Sequence, residues 1–126
     1  MRALIISIIL ILLIGIGWLL VLDSVTESTD FFIDSLEKLS EDINNNNWES
    51  ANNQFQKIEK KWNEIRDNWS VLLDHHEIDN IDLSMSKANQ YVKSKSDVLS
   101  LGEIETLKKL FGIVKENESL TLTNIL

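Results

Sequence analysis

The stretch that decides the fold is residues 51–72, ANNQFQKIEKKWNEIRDNWSVL. Its apolar residues recur at alternating steps of four and three: Ala51, Phe55, Ile58, Trp62, Ile65, Trp69 and Leu72. An α-helix repeats about every 3.6 residues, so these steps place the side chains on one face of a helix. The stretch is therefore predicted to be an amphipathic helix that buries one apolar face against other elements.

The same spacing continues on both sides of this stretch. Upstream, the apolar set is Val25, Thr29, Phe32, Leu36, Leu39 and Ile43. Downstream, two sets follow: Ile78, Ile81, Met85, Ala88 and Val92, then Val98, Leu101, Ile104, Leu107 or Lys108, Phe111 and Val114. The chain has no proline and only four glycines, which disfavours hairpin-rich β folds. We predict an all-α fold with an antiparallel bundle of about four helices.

Polar stretches separate the predicted helices. In chain order they are residues 44–47, 74–76 and 94–97. At residues 74–76 the apolar stripe shifts phase, which predicts a break or kink and leaves a continuous helix as the alternative. Asn46 followed by Glu49, and Asp74 followed by Glu77, fit capping boxes for the second and third helices. The pattern fades after Val114, and the tail could form a short extension that packs on the bundle.

A long apolar segment precedes the bundle. Residues 3–22, ALIISIILILLIGIGWLLVL, carry no charge and would span about 30 Å as a helix, the thickness of a bilayer's hydrocarbon core. Arg2 precedes the segment, whereas Asp23 and Glu27 follow it, so the positive-inside tendency puts the N-terminus in the cytoplasm. We predict a single-pass cell-membrane protein with residues 1–24 as a transmembrane signal anchor and residues 25–126 as an extracytoplasmic helical bundle.

The alternative to an anchor is a cleaved signal peptide. The segment is longer than a usual secretory apolar region and lacks a small-x-small cleavage site, which favours the uncleaved anchor. No helix-breaking residue separates the anchor from Val25, so the sequence leaves open whether the two helices run on as one. Ala3 and Ser7 form a weak small-xxx-small pair, which leaves homo-oligomerisation open as well.

The composition excludes several classes of function. Cysteine is absent, and with it disulfides, thiolate metal sites and cysteine nucleophiles. The formal net charge is −8, and such an acidic domain is repelled by nucleic acid, so no nucleic-acid partner is expected. The bundle contains no G-x-S-x-G nucleophile turn and no glycine-rich phosphate loop. We therefore expect neither an enzyme nor a cofactor.

The densest polar cluster is DHHEIDNID, residues 74–82. On a helix, His75, Asp79 and Asp82 would share one face, where they could hold a divalent cation. No specific metal motif accompanies them, so a metal site is not the preferred interpretation. The preferred interpretation is a polar network or a partner-binding surface. Its candidate residues are Asp74, His75, His76, Glu77, Asp79 and Asp82.

Residues 62–126 resemble a bacterial family catalogued as domain of unknown function 4363. The features that carry the resemblance are Trp62, Trp69, DHHEID with Asp82, Tyr91-Val92, Glu103, Leu107 and the ending LTLTNIL. Members of the family begin with one hydrophobic segment, so the resemblance implies an anchor followed by helices in a firmicute-type bacterium. It implies no activity, ligand or catalytic residue.

Two functions follow as hypotheses. The leading one is a non-enzymatic, membrane-anchored accessory protein whose extracytoplasmic bundle binds another membrane or envelope protein. The alternative is an extracytoplasmic ligand- or cation-sensing domain that uses the His75–Asp82 cluster.

Overall fold

The computed structural model describes the backbone of residues 1–125 and the side-chain surroundings of residues 1–120. The described residues form four α-helices: α1 (Arg2–Asn44), α2 (Trp48–Leu72), α3 (His75–Lys93) and α4 (Asp97–Ile125). No strand occurs among them. The all-α prediction is confirmed. The tail predicted as a short extension is a continuation of α4, while Leu126 lies outside the described residues.

Helix α1 is uninterrupted across the predicted boundary between anchor and bundle. Its apolar segment, residues 3–22, is long and apolar enough to cross a membrane, and the most hydrophobic part of it is not buried against other helices. Packing begins at Leu22 and continues at Val25. The question that the sequence left open is answered: the two helices are one.

The four helices of the bundle stand at the corners of a square. Helix α1 packs against α2 and α4, and α3 packs against the same two helices. Lys108 pairs with Glu37 and Lys115 pairs with Asp30, so α4 runs antiparallel to α1. We call the end from which the apolar segment emerges the near end. The far end holds the α1–α2 and α3–α4 turns, and the near end holds the α2–α3 turn.

The turns confirm one predicted cap and correct another. Asp74 caps α3 as predicted, because its carboxylate accepts a hydrogen bond of 2.8 Å from the backbone N–H of His76. The cap of α2 is Asn47, which accepts from Ser50, and not Asn46. Asn46 instead has a φ of 55°, a left-handed conformation that asparagine tolerates. Within the asparagine run, Asn46 therefore forms the turn and Asn47 caps α2.

The predicted apolar faces form the core, with two corrections. Phe55, Trp62 and Trp69 are buried as predicted, and Leu107 rather than Lys108 is the buried residue of its pair. Leu72 was expected inside but is 39% exposed. Val98 was placed on the α4 stripe but is 75% exposed. Both residues stand at the end of a helix, where the neighbouring helices no longer cover the continuing stripe.

An aromatic cluster fills the core toward the near end. Phe32 and Phe111 stack with ring centroids 4.3 Å apart, and they join α1 to α4. Trp62 and Trp69 of α2 meet each other edge to face at 5.7 Å, and both also contact the stacked pair. Such edge-to-face contacts add to the stabilisation from burial. The cluster fixes the relative heights of α1, α2 and α4.

Candidate functional site

Asp82 is the centre of a polar network between α2 and α3. Its carboxylate receives hydrogen bonds from the Arg66 Nε, at 2.7 and 3.0 Å, and lies 2.6 Å from a terminal guanidinium nitrogen of Arg66. The indole Nε1 of Trp62 donates to the same carboxylate at 2.8 Å. A bidentate arginine and a buried indole leave this carboxylate little freedom to rotate or bind elsewhere.

The network shifts the acidity of Asp82. The hydrogen bonds from Arg66 hold the pKa of the Asp82 carboxyl below its usual range, and the Trp62 bond acts in the same direction, while partial burial opposes both. The pKa of Arg66 rises in return, chiefly through the hydrogen bond to Asp82. Asp82 is therefore ionised throughout the neutral range and serves as a fixed acceptor.

A second set of contacts joins α3 to α4. The side-chain amide of Asn117 donates to Glu77 at 2.6 Å, so Glu77 turns toward α4 and the predicted capping box with Asp74 is not formed. Glu118 lies nearby and half-buried, and burial together with the Glu77 charge raises the pKa of its carboxyl. Further along, the buried hydroxyl of Ser84 donates to Glu103 at 2.6 Å.

The six residues of the predicted polar cluster fall into two groups. Asp74, Glu77 and Asp82 hold the backbone or a neighbouring helix. His75, His76 and Asp79 are exposed on α3 near the α2–α3 turn. The part of the chain that the structure describes contains no group of three or more histidine, cysteine or acidic side chains placed to hold a metal ion. His75, Asp79 and Asp82 therefore do not converge as a ligand set.

The charge of the bundle is divided unevenly along its length. We define the near half as residues 23–33, 64–82 and 110–120, and the far half as residues 34–63 and 83–109. The near half carries eleven acidic and two basic side chains, a formal charge of −9. The far half carries nine of each and is neutral. The whole acidic excess of the bundle thus lies beside the apolar segment.

Both basic residues of the near half already have partners. Arg66 pairs with Asp82, and Lys115 pairs with Asp30. Most of the remaining acidic side chains are exposed, Glu64, Asp79 and Glu116 among them. The fold therefore leaves a surplus of accessible negative charge on the near half, which is the candidate interaction surface.

Sequence reasoning missed both Arg66 and the division of charge. Arg66 follows Ile65 of the apolar stripe of α2 and is not itself a member of the stripe. Its pairing with Asp82 depends on how α2 is rotated relative to α3, which the structure shows. The near half is assembled from three separated stretches of chain, so no single run of sequence displays its surplus. Folding the predicted helices back on one another at the predicted turns would have brought these three stretches together and revealed the charge surplus.

Comparison with known proteins bears on the family alone. No curated protein and no solved structure matches the chain. The family model described as Domain of unknown function (DUF4363) matches residues 19–125, which span the bundle and the last turn of the apolar segment. The resemblance inferred from Trp62, Trp69, DHHEID and the ending is confirmed, and the chain belongs to the family of domain of unknown function 4363.

Proposed function

We propose that this protein is a non-enzymatic accessory protein of the cell membrane whose extracytoplasmic bundle binds another membrane or envelope protein. The apolar segment of α1 acts as an uncleaved, single-pass anchor. Arg2 stays in the cytoplasm, and the bundle stands outside. With α1 continuous, the anchor holds the near half close to the membrane surface.

The observation that carries this proposal is the charge of −9 on the near half. Unpaired like charges repel one another and cost the folded state free energy. The far half shows that the same bundle can be built with balanced charge, so the surplus is not a requirement of the fold. A surface of one sign instead steers and orients a partner of the opposite sign. The partner accordingly presents a basic segment close to the extracytoplasmic face of the cell membrane.

The cation-sensing alternative receives less support. Asp82 is occupied by Arg66 and Trp62, and His75 and Asp79 stand exposed without converging on it. A sensor that used these residues would have to dismantle the contact between α2 and α3.

The experiment is affinity capture of the full-length protein from native membranes with two matched triple variants. The near variant carries Glu64→Gln, Asp79→Asn and Glu116→Gln; the far variant carries Asp34→Asn, Glu41→Gln and Glu49→Gln. All six residues are exposed, and both variants remove three negative charges. Quantitative mass spectrometry compares the proteins recovered with each variant and with the unmodified chain.

We expect the near variant to recover at least tenfold less of a membrane or envelope partner than the unmodified protein does. The far variant should recover that partner in the unmodified amount. Circular dichroism of both variants controls for folding. Equal recovery with the two variants, or loss from the far variant alone, would contradict a partner surface on the near half.

A further inference from the structure

The near end of the bundle exposes apolar side chains that no other helix covers. Val71 is 84% exposed and Leu72 is 39% exposed at the end of α2, and Leu120 is 60% exposed on α4. Val71 and Leu72 are the last two residues of α2, next to the α2–α3 turn. Leu120 lies in the part of α4 that extends beyond Val114, the last core residue of that helix. Their burial would be favourable, so a covering medium is expected at this end.

Packing against α1 fixes the height of this end. Leu72 lines a groove of about 230 Å³ with Val21, Val25 and Trp69, so the end of α2 lies beside the last turn of the apolar segment. Next to it, Leu72 and Glu118 line a second groove with Trp18 and Leu22. Apolar side chains of the anchor and of the end of α2 thus lie side by side at the near end.

The height of α4 follows from the stacked phenylalanines. Phe111 lies level with Phe32, and α4 runs antiparallel to α1. One residue forward on α4 therefore corresponds to one residue back on α1. By this correspondence, Leu120 lies level with Asp23 of α1, one residue beyond the apolar segment.

These heights put the near end within the lipid headgroups. The proposed anchor leaves the hydrocarbon at about Leu22, and the headgroup layer beyond it is roughly 5–8 Å thick on each side of a bilayer. One helical turn covers about 5.4 Å of that layer. The end of α2, where Leu72 lies beside Val25, and Leu120, level with Asp23, both fall inside it.

We infer that the near end of the bundle is seated in the headgroup layer of a zwitterionic lipid surface, through Val71, Leu72 and Leu120. This inference rests on the membrane anchoring in the proposed function. The lipid is zwitterionic because a half-bundle of charge −9 is repelled by anionic headgroups. Seating would limit how far the continuous helix α1, and the bundle with it, tilts in the membrane.

The test uses the absence of native cysteine to place single labels on the full-length chain. Val71→Cys reports on the near end, and Val98→Cys is a matched control because Val98, at the far end, is a valine of similar exposure, 75% against 84%. Leu12→Cys reports on the middle of the anchor. Each variant carries an environment-sensitive fluorophore in phosphatidylcholine nanodiscs, and acrylamide measures water access because this neutral quencher ignores the protein's charge.

We expect the quenching constant at position 71 to be at least twofold lower than at position 98, with position 12 lowest. In nanodiscs that contain half phosphatidylglycerol at low salt, the value at position 71 should move toward that at position 98. A shielded position 12 with equal values at 71 and 98 would overturn the seating and leave the proposed function standing. Full water access at position 12 would overturn both. Equal shielding at position 71 in both lipids would overturn the zwitterionic preference.

Discussion

The near and far halves of the bundle use the same four helices differently. The near half combines an aromatic core of Phe32, Trp69 and Phe111 with a surface of charge −9. The far half has a mainly aliphatic core and a balanced surface. Charge repulsion weakens the near half, so its cohesion depends on the aromatic cluster and on the Arg66–Asp82 pair. The difference places the aromatic packing and the proposed partner surface at the same end of the bundle.

The largest expected effect comes from Trp62, which belongs to the far half by its position at the boundary but whose buried indole packs on Phe32 and Phe111 and bonds Asp82, all in the near half. Trp62→Ala should cost about 3–5 kcal/mol, because it leaves a large cavity among the aromatic rings. Domains of this size have only about 5–15 kcal/mol of stability in total, so the variant should be near unfolding. Thermal unfolding of the full-length protein in detergent, followed by near-UV circular dichroism, measures the loss. Trp48→Ala is the control, because Trp48 is only partly buried at the far end; an equal loss in both variants would refute the contrast.

A smaller effect is expected at Asp82. Asp82→Ala removes the acceptor of the Trp62 indole and should cost about 1–2 kcal/mol at neutral pH, since it leaves a buried donor unpaired. Asp79→Ala, on the same helix but exposed, should change the free energy of unfolding by less than about 0.5 kcal/mol. The same unfolding assay separates the two.

The stability that Asp82 contributes should depend on pH in one direction. Its folded pKa is lowered from the model-peptide value of 3.8, so the contribution is present above about pH 4 and is lost as the pH falls through the folded pKa. The difference between Asp82→Asn and the unmodified protein should therefore shrink below pH 4. A difference that stays constant down to pH 2 would mean that the charge of Asp82 is not what holds α3 to α2.

The smallest expected effect concerns metals. Because His75, Asp79 and Asp82 do not converge, zinc, manganese and calcium should leave the melting temperature unchanged within scatter. Calorimetric titration checks the same point. Micromolar binding that disappears in both His75→Ala and Asp79→Ala would restore the sensing hypothesis and would make the near end a cation site.

Helical periodicity predicted the fold because it is a local property of the sequence. The stripe from Ala51 to Trp69 lies on one face of α2, and all of its members are buried except the partly buried Ile65. Leu72 and Val98 were misassigned because their burial depends on how far the neighbouring helices extend. The same limit applies to Arg66: its bond to Asp82 depends on the relative rotation of two helices, which periodicity alone does not set.

The most direct test of the account is photocrosslinking from two positions on one face of α3. Asp79 in the near half and Ser86 in the far half are both exposed and seven residues apart, so they point the same way about two turns from each other. Each is replaced by p-benzoylphenylalanine in the full-length protein and irradiated in native membranes. We predict a discrete adduct with a membrane or envelope protein from position 79 and at most a trace from position 86. An adduct of equal or greater yield from position 86 would contradict the claim that the near half is the partner surface.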